Sequence, residues 1–120
     1  MLTAEKKEKI RKFILELQEE NNLIIVEGKN DSRSLNNLGI RNCIELNGPI
    51  YRFVESLSSE KRVILLLDTD KEGKKLTKKL VEEFQKNGIK PELKHWIKLI
   101  SLKISHVQGL YNMVRKFGGN

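Results

Sequence analysis

The chain has 120 residues, 38% of them hydrophobic and 32% charged, a balance that fits a globular rather than a disordered protein. Its longest apolar runs, Leu23 to Val26 and Val63 to Leu67, are too short to cross a bilayer, and a lone Cys43 excludes an intrachain disulfide or a cysteine-based zinc site. The net charge is +7, and residues 90–120 carry six basic side chains against Glu92 alone, an excess suited to a polyanionic partner.

The first twenty residues mix Lys and Glu with spaced apolar residues, so they read as a helix over 4–20 and not as a signal peptide. Ile10, Phe13, Ile14 and Leu17 supply its apolar stripe. Leu23 to Val26 follows as a strand buried on both faces, then a short helix from Ser32 to Leu38 that stops at Gly39. Cys43 to Leu46 is a second strand, closed by the Asn47-Gly48-Pro49 turn. Ile50, Phe53, Val54 and Leu57 mark the next helix, and Val63 to Leu67 the third strand. A long helix begins near Lys71, carries Leu76, Leu80, Val81 and Phe84, and ends at Asn87-Gly88. Glu92 to Trp96, just after Pro91, is read as a fourth strand. Val107, Leu110, Tyr111 and Val114 mark the last helix, with Ser105 and Gln108 spaced as a capping box. Strands alternating with helices predict an α/β sheet covered on both sides.

In such sheets ligands bind beyond the carboxyl ends of the strands. After Val26 come Glu27, Gly28, Lys29, Asn30 and Asp31; after Leu67 come Asp68, Thr69, Asp70, Lys71, Glu72 and Gly73. If the two strands are neighbours, Glu27, Asp68 and Asp70 converge. Two carboxylates about 4 Å apart repel by about 4 kcal/mol at an effective dielectric near 20, so either a proton or a divalent cation must offset the charge. A set of oxygen ligands suits Mg²⁺, with Mn²⁺ as the alternative, and a cation there can polarise a phosphoryl oxygen. Taken singly, Asp70 and Asp31 also fit as helix caps and Glu27 as a solvated loop residue.

The segment Val26-Glu27-Gly28-Lys29-Asn30-Asp31, followed about forty residues later by Leu67-Asp68-Thr69-Asp70-Lys71-Glu72-Gly73, resembles the Toprim domain of topoisomerases, bacterial primases, recombination mediators and several nucleases. Asn47-Gly48 after the second strand is similar to the family as well, and size and layout resemble the small stand-alone archaeal members. The resemblance implies a Rossmann-like three-layer fold whose four-stranded, mostly parallel sheet has the order 2-1-3-4, with added N- and C-terminal helices. It implies one domain over 1–120, with a core at 22–95 and a basic extension at 96–120. Asp68 and Asp70 would be metal ligands, and Glu27 a further ligand or general acid/base. Asp31 would stand behind them or cap a helix. Gly28 would allow a tight turn beside the metal, and Gly73 a close helix start. Lys29 and Lys71 would reach phosphates. Apart from the resemblance, the charge of the basic extension makes Lys98 and Lys103 candidate nucleic-acid contacts.

Other families fit less well. Dehalogenase-type phosphatases want Thr or Val two residues after the second Asp, where this chain has Glu72; receiver domains place an acidic pair where this chain has Glu27-Gly28. A dinucleotide-binding turn needs more glycines than Gly28 alone. Tyr51 and Tyr111 lie on apolar stripes and read as core residues, as does Trp96. His95 and His106 lack a paired metal spacing and read as surface or capping residues. Lys74, Lys75, Lys78 and Lys79 read as a solvated face. The Toprim resemblance implies a metal-dependent nuclease acting on RNA or DNA, expected to be cytoplasmic and without a membrane partner; the competing expectation is a non-catalytic nucleic-acid-binding or partner-docking module.

Overall fold

A computed structural model describes residues 2–117; Met1 and the last three residues of the basic extension lie outside the described residues. In chain order the elements are α1 (Ala4–Gln18), β1 (Ile24–Val26), α2 (Lys29–Asn37), β2 (Cys43–Glu45), α3 (Ile50–Glu55), β3 (Arg62–Leu65), α4 (Lys71–Lys86), β4 (Lys90–Glu92), α5 (Lys94–Ser101) and α6 (Gln108–Phe117). The sheet has the order β2-β1-β3-β4, and each neighbouring pair is parallel, so the expected order holds and the sheet has no antiparallel member.

The apolar runs explain the layers. Successive strand residues point to opposite faces. Ile24 and Val26 of β1, with Ile64 and Leu66, pack under α1, α2, α5 and α6 through Phe13, Leu35, Leu99 and Leu110. Ile25, with Val63, Leu65 and Leu67, packs under α3 and α4 through Phe53, Val54, Leu80 and Phe84. Strands covered on both faces cannot alternate apolar with polar residues, which is why β1 and β3 read as unbroken apolar runs. Leu66 continues the ladder past β3, its amide donating to Ile25 O at 2.9 Å.

Four expectations need correction. Glu92 to Trp96 is not a strand: β4 is centred on Pro91 and ends at Glu92, and α5 begins at Lys94. Pro91 has no N–H to give, and β4 is an edge strand, where that loss is tolerated. Helical spacing of His95, Leu99 and Leu102 buries all three on the α1 side, and this burial decides the segment's conformation. The short helix α2 starts at Lys29, ahead of Ser32, and α6 starts at Gln108, later than a Ser105 cap would set it. Tyr51 is not a core residue; it is 51% exposed at the start of α3.

The turn after α5 carries chemistry later. Ile104 N–H donates to Leu99 O and Lys103 N–H to Ile100 O, the paired bonds of a Schellman C-cap, with Lys103 at φ 59° in the position that favours glycine. The turn redirects residues 104–107 back across the end of β3.

Candidate metal centre

The chain leaves β1 for β2 on one side and returns to β3 on the other, so strand order reverses between β1 and β3. The crevice beyond their carboxyl ends is the ligand-binding position of an open α/β sheet. Glu27 follows β1 there, and Asp68 follows the apolar run of β3.

Every polar atom of Asp68 is held. Its amide donates to Glu27 Oε1 at 3.1 Å, and its carbonyl accepts from Trp96 Nε1 at 3.2 Å. Its Oδ1 accepts from Val107 N–H at 2.9 Å, and its Oδ2 lies 3.2 Å from His106 Nδ1. Thr69 fixes the same loop, with Oγ1 donating to Ile104 O and N–H to Ser105 O, each at 2.9 Å. Asp70 is the N-cap of α4: Oδ1 accepts from Gly73 N–H at 2.8 Å, while Oδ2 lies 4.0 Å from His106 Nδ1. Asp70 thus fills both the capping role and a place beside Asp68. One oxygen of each of these Asp residues and one His106 nitrogen lie within 4.8 Å of one another.

Gly73 must be glycine. A Cβ there would stand 2.1 Å from the backbone oxygen of Asp68, so its absence lets α4 start against the end of β3. Gly28 differs from expectation: its backbone is extended, at φ −156°, and a Cβ would meet nothing within 4 Å. It needs no special turn conformation. Its N–H donates to Asp31 Oδ2 at 3.1 Å, so Asp31, only 8% exposed, ties down the start of α2.

The electrostatics follow from this crowding. Burial pushes the Glu27 carboxyl above its ordinary range, the Asp68 amide opposes it, and the charges of Asp68, Asp31 and Asp70 add to the rise. Asp31 is raised by burial too, against the Gly28 amide, with the Asp68 charge adding. His106 is raised by its hydrogen bond to Asp68 and then by that residue's charge. These acids therefore sense one another. Glu27 joins them through the Asp68 amide and through charge, while the group of donor atoms itself is Asp68, Asp70 and His106.

The remaining residues separate. Lys29 and Lys71 open α2 and α4 beside the acids and are exposed. Lys98 lines a groove with Glu16, Glu19, Glu20 and His95, and Lys103 another with Thr3, Glu5, Lys6 and Lys9; neither groove is lined by Glu27, Asp68 or Asp70. Of the two histidines read as surface or capping residues, His106 is at the surface and His95 is not. His95 is buried, 3% exposed, with Nε2 2.5 Å from Glu20 Oε2, and His106 stands at the acids. No spacing in the sequence announces His106, which is 38 residues from Asp68 and comes from a different turn. Trp96 is half-buried, and its indole N–H reaches the site loop.

The donor set fits a divalent cation. Each Asp68 oxygen keeps a second lone pair beyond the bond it accepts, Asp70 offers Oδ2, and the cluster carries an excess of negative charge. A parallel three-layer α/β protein with such a carboxylate cluster at its switch point belongs to the class of α/β proteins with a candidate cation site at the sheet edge. The chain belongs to the Toprim domain family, which it matches over residues 22–100. Family membership makes it a metal-binding, nucleic-acid-processing module. It is 37% identical to a UPF0292 protein of Methanocaldococcus jannaschii, over 85% of each chain. It is 40% identical to a UPF0292 protein of Methanosarcina acetivorans, over 91% of this chain and 82% of the relative. An Aquifex aeolicus protein of solved structure superposes with a TM-score of 0.77 at 30% identity, over 82% of this chain and 95% of that one. Among the described residues no helix is long and apolar enough to cross a membrane.

Proposed function

We propose that the protein is a divalent-metal-dependent nuclease that cuts phosphodiester bonds in RNA or DNA. The observation that carries this reading is the meeting of Asp68 and Asp70 with a half-buried Glu27 at the switch point of the sheet. Asp68 and Asp70 would hold Mg²⁺ or Mn²⁺, and the cation, when bound, supplies Lewis-acid polarisation of a phosphoryl oxygen. Glu27, raised above its ordinary range chiefly by burial, holds a proton more readily than a solvated carboxyl and is suited to serve as the general acid/base. Asp31 holds the start of α2, and with it Lys29, in place. Lys29 and Lys71 sit where a phosphate backbone would pass and contribute charge without reading sequence. Lys98 and Lys103 lie on other surfaces and add only to the general attraction.

Single- and double-stranded RNA and DNA, incubated with Mg²⁺, Mn²⁺ or EDTA, test the proposal. Cutting that requires metal and disappears in Glu27→Gln and Asp68→Asn supports it. Binding without cutting in every metal would replace it with the docking-module reading, in which the same acids bridge to phosphate through a cation.

A further inference from the structure

The family match ends at residue 100, and the segment that closes over Asp68 comes after it. Ile104 and Ser105 give their carbonyls to Thr69, Val107 gives its amide to Asp68 Oδ1, and His106, between them, turns its ring to Asp68 and Asp70. The backbone bonds on either side fix where the imidazole can reach. The Schellman turn at Lys103 delivers the segment, and Val107, 1% exposed, anchors it in the core. His106 therefore does not reach the acids as a free surface side chain would.

We propose that His106 is a ligand of the divalent cation, and that it biases the centre toward Mn²⁺ over Mg²⁺. The inference rests on the metal-centre reading above and adds a nitrogen donor to it. An octahedral ion with donors at about 2.1 Å separates neighbouring donors by about 3.0 Å and opposite ones by about 4.2 Å. His106 Nδ1 stands 3.2 Å from Asp68 Oδ2 and 4.0 Å from Asp70 Oδ2, within that span. The His106 side chain is 51% exposed, so an ion and its waters can enter without unpacking the core. Mg²⁺ favours an all-oxygen shell and gives up water reluctantly, whereas an imidazole suits the transition metals, so adding one nitrogen shifts relative affinity toward Mn²⁺.

Mn²⁺ is the probe, read by electron paramagnetic resonance. Bound Mn²⁺ in the wild-type protein should show modulation from a directly coordinated nitrogen, changed by ¹⁵N-histidine labelling and absent in His106→Ala. His95 cannot supply that signal, because it is buried against Glu20. His106→Ala should weaken Mn²⁺ by at least the roughly tenfold that loss of an outer-shell partner costs, and Mg²⁺ by less. His106→Asp should restore binding and narrow the preference. Mn²⁺ that binds, is lost in Asp68→Asn and shows no nitrogen coupling would overturn the role of His106 and leave the centre standing. A wild-type protein that binds no Mn²⁺ would overturn both. Circular dichroism in EDTA checks that the variants fold, and the labelled wild-type spectrum decides the matter even if His106→Ala does not.

Discussion

Gly73→Ala is expected to weaken the fold and the site together. An added Cβ would lie 2.1 Å from Asp68 O, 2.6 Å from Asp68 C and 3.1 Å from Asp68 Cβ. Two of these are backbone atoms, and the Asp68 peptide is pinned by Glu27 and Trp96, so a side-chain adjustment cannot relieve the clash. The first turn of α4 must draw back by roughly 1 Å, and overpacking of this kind costs about 1–3 kcal/mol. Alanine's better helix propensity returns at most about 1 kcal/mol. Because the two shortest contacts are with backbone, the overpacking cost falls in the upper part of its range, about 2–3 kcal/mol. The net loss of about 1–2 kcal/mol should lower Tm by about 4–8 °C for a chain of this length. Moving the turn also lengthens the bond from Gly73 N–H to Asp70 Oδ1, so Mn²⁺ affinity should fall with stability. Thermal denaturation in EDTA, with and without Mn²⁺, measures both. Gly28→Ser is the control: there is room for its side chain, and serine is a good N-cap, so Tm should hold or rise. A Gly73→Ala protein as stable as the wild type would refute the close-approach argument.

Lys103→Gly should raise Tm, because a lysine held at φ 59° carries roughly 1 kcal/mol of backbone strain that glycine lacks; a lower Tm would mean the side chain contributes more than the strain costs. In EDTA, wild-type stability should decline as pH rises from the ordinary carboxylate pKa through the raised folded value of Glu27, because the folded form holds that proton more tightly than the unfolded chain does. Glu27→Gln should flatten the decline, and an unchanged Tm–pH profile would count against a raised Glu27. Lys29→Gln and Lys71→Gln should each reduce the salt slope of nucleic-acid binding by about 0.7–0.9, the signature of one lost phosphate contact. Lys98→Gln, facing an acidic groove, should leave the slope as it is.

Much of this architecture is legible in the amino-acid order because local signals and burial agree. Apolar runs bounded by turns mark β1 and β3, and amphipathic spacing marks α1, α3 and α4. The motifs after β1 and β3 place Glu27, Asp68 and Asp70 at one sheet edge. The misreadings occur where tertiary contact overrides a local cue. Pro91 reads as the residue just ahead of a strand but stands inside one, because an edge position removes its usual penalty. Trp96 and His95 look like strand or surface residues until α5 turns one toward Asp68 and the other under α1. His106 has no periodicity or motif to mark it. Its position depends on a turn made by a lysine in a glycine conformation, a feature that sequence patterns argue against.

The arrangement around Asp68 gives a physical reason for so many elements to meet at one residue. Gathering carboxylates at a switch point is unfavourable unless something opposes their charge, and a cation in the gap does so only while it is bound. In its absence the Val107 amide, the His106 ring and the Gly73 amide donate into the cluster, while the Asp68 amide occupies one oxygen of Glu27. The Val107 and Gly73 amides are fixed dipoles that cost no reorganisation when an ion arrives, because each carboxylate oxygen has lone pairs to spare, whereas His106 Nδ1 gives up its proton to become a ligand. The C-terminal segment thus supports the acids that the family motif supplies. Removing it would leave the motif intact in sequence yet exposed to its own repulsion, so the segment and the motif form one functional unit.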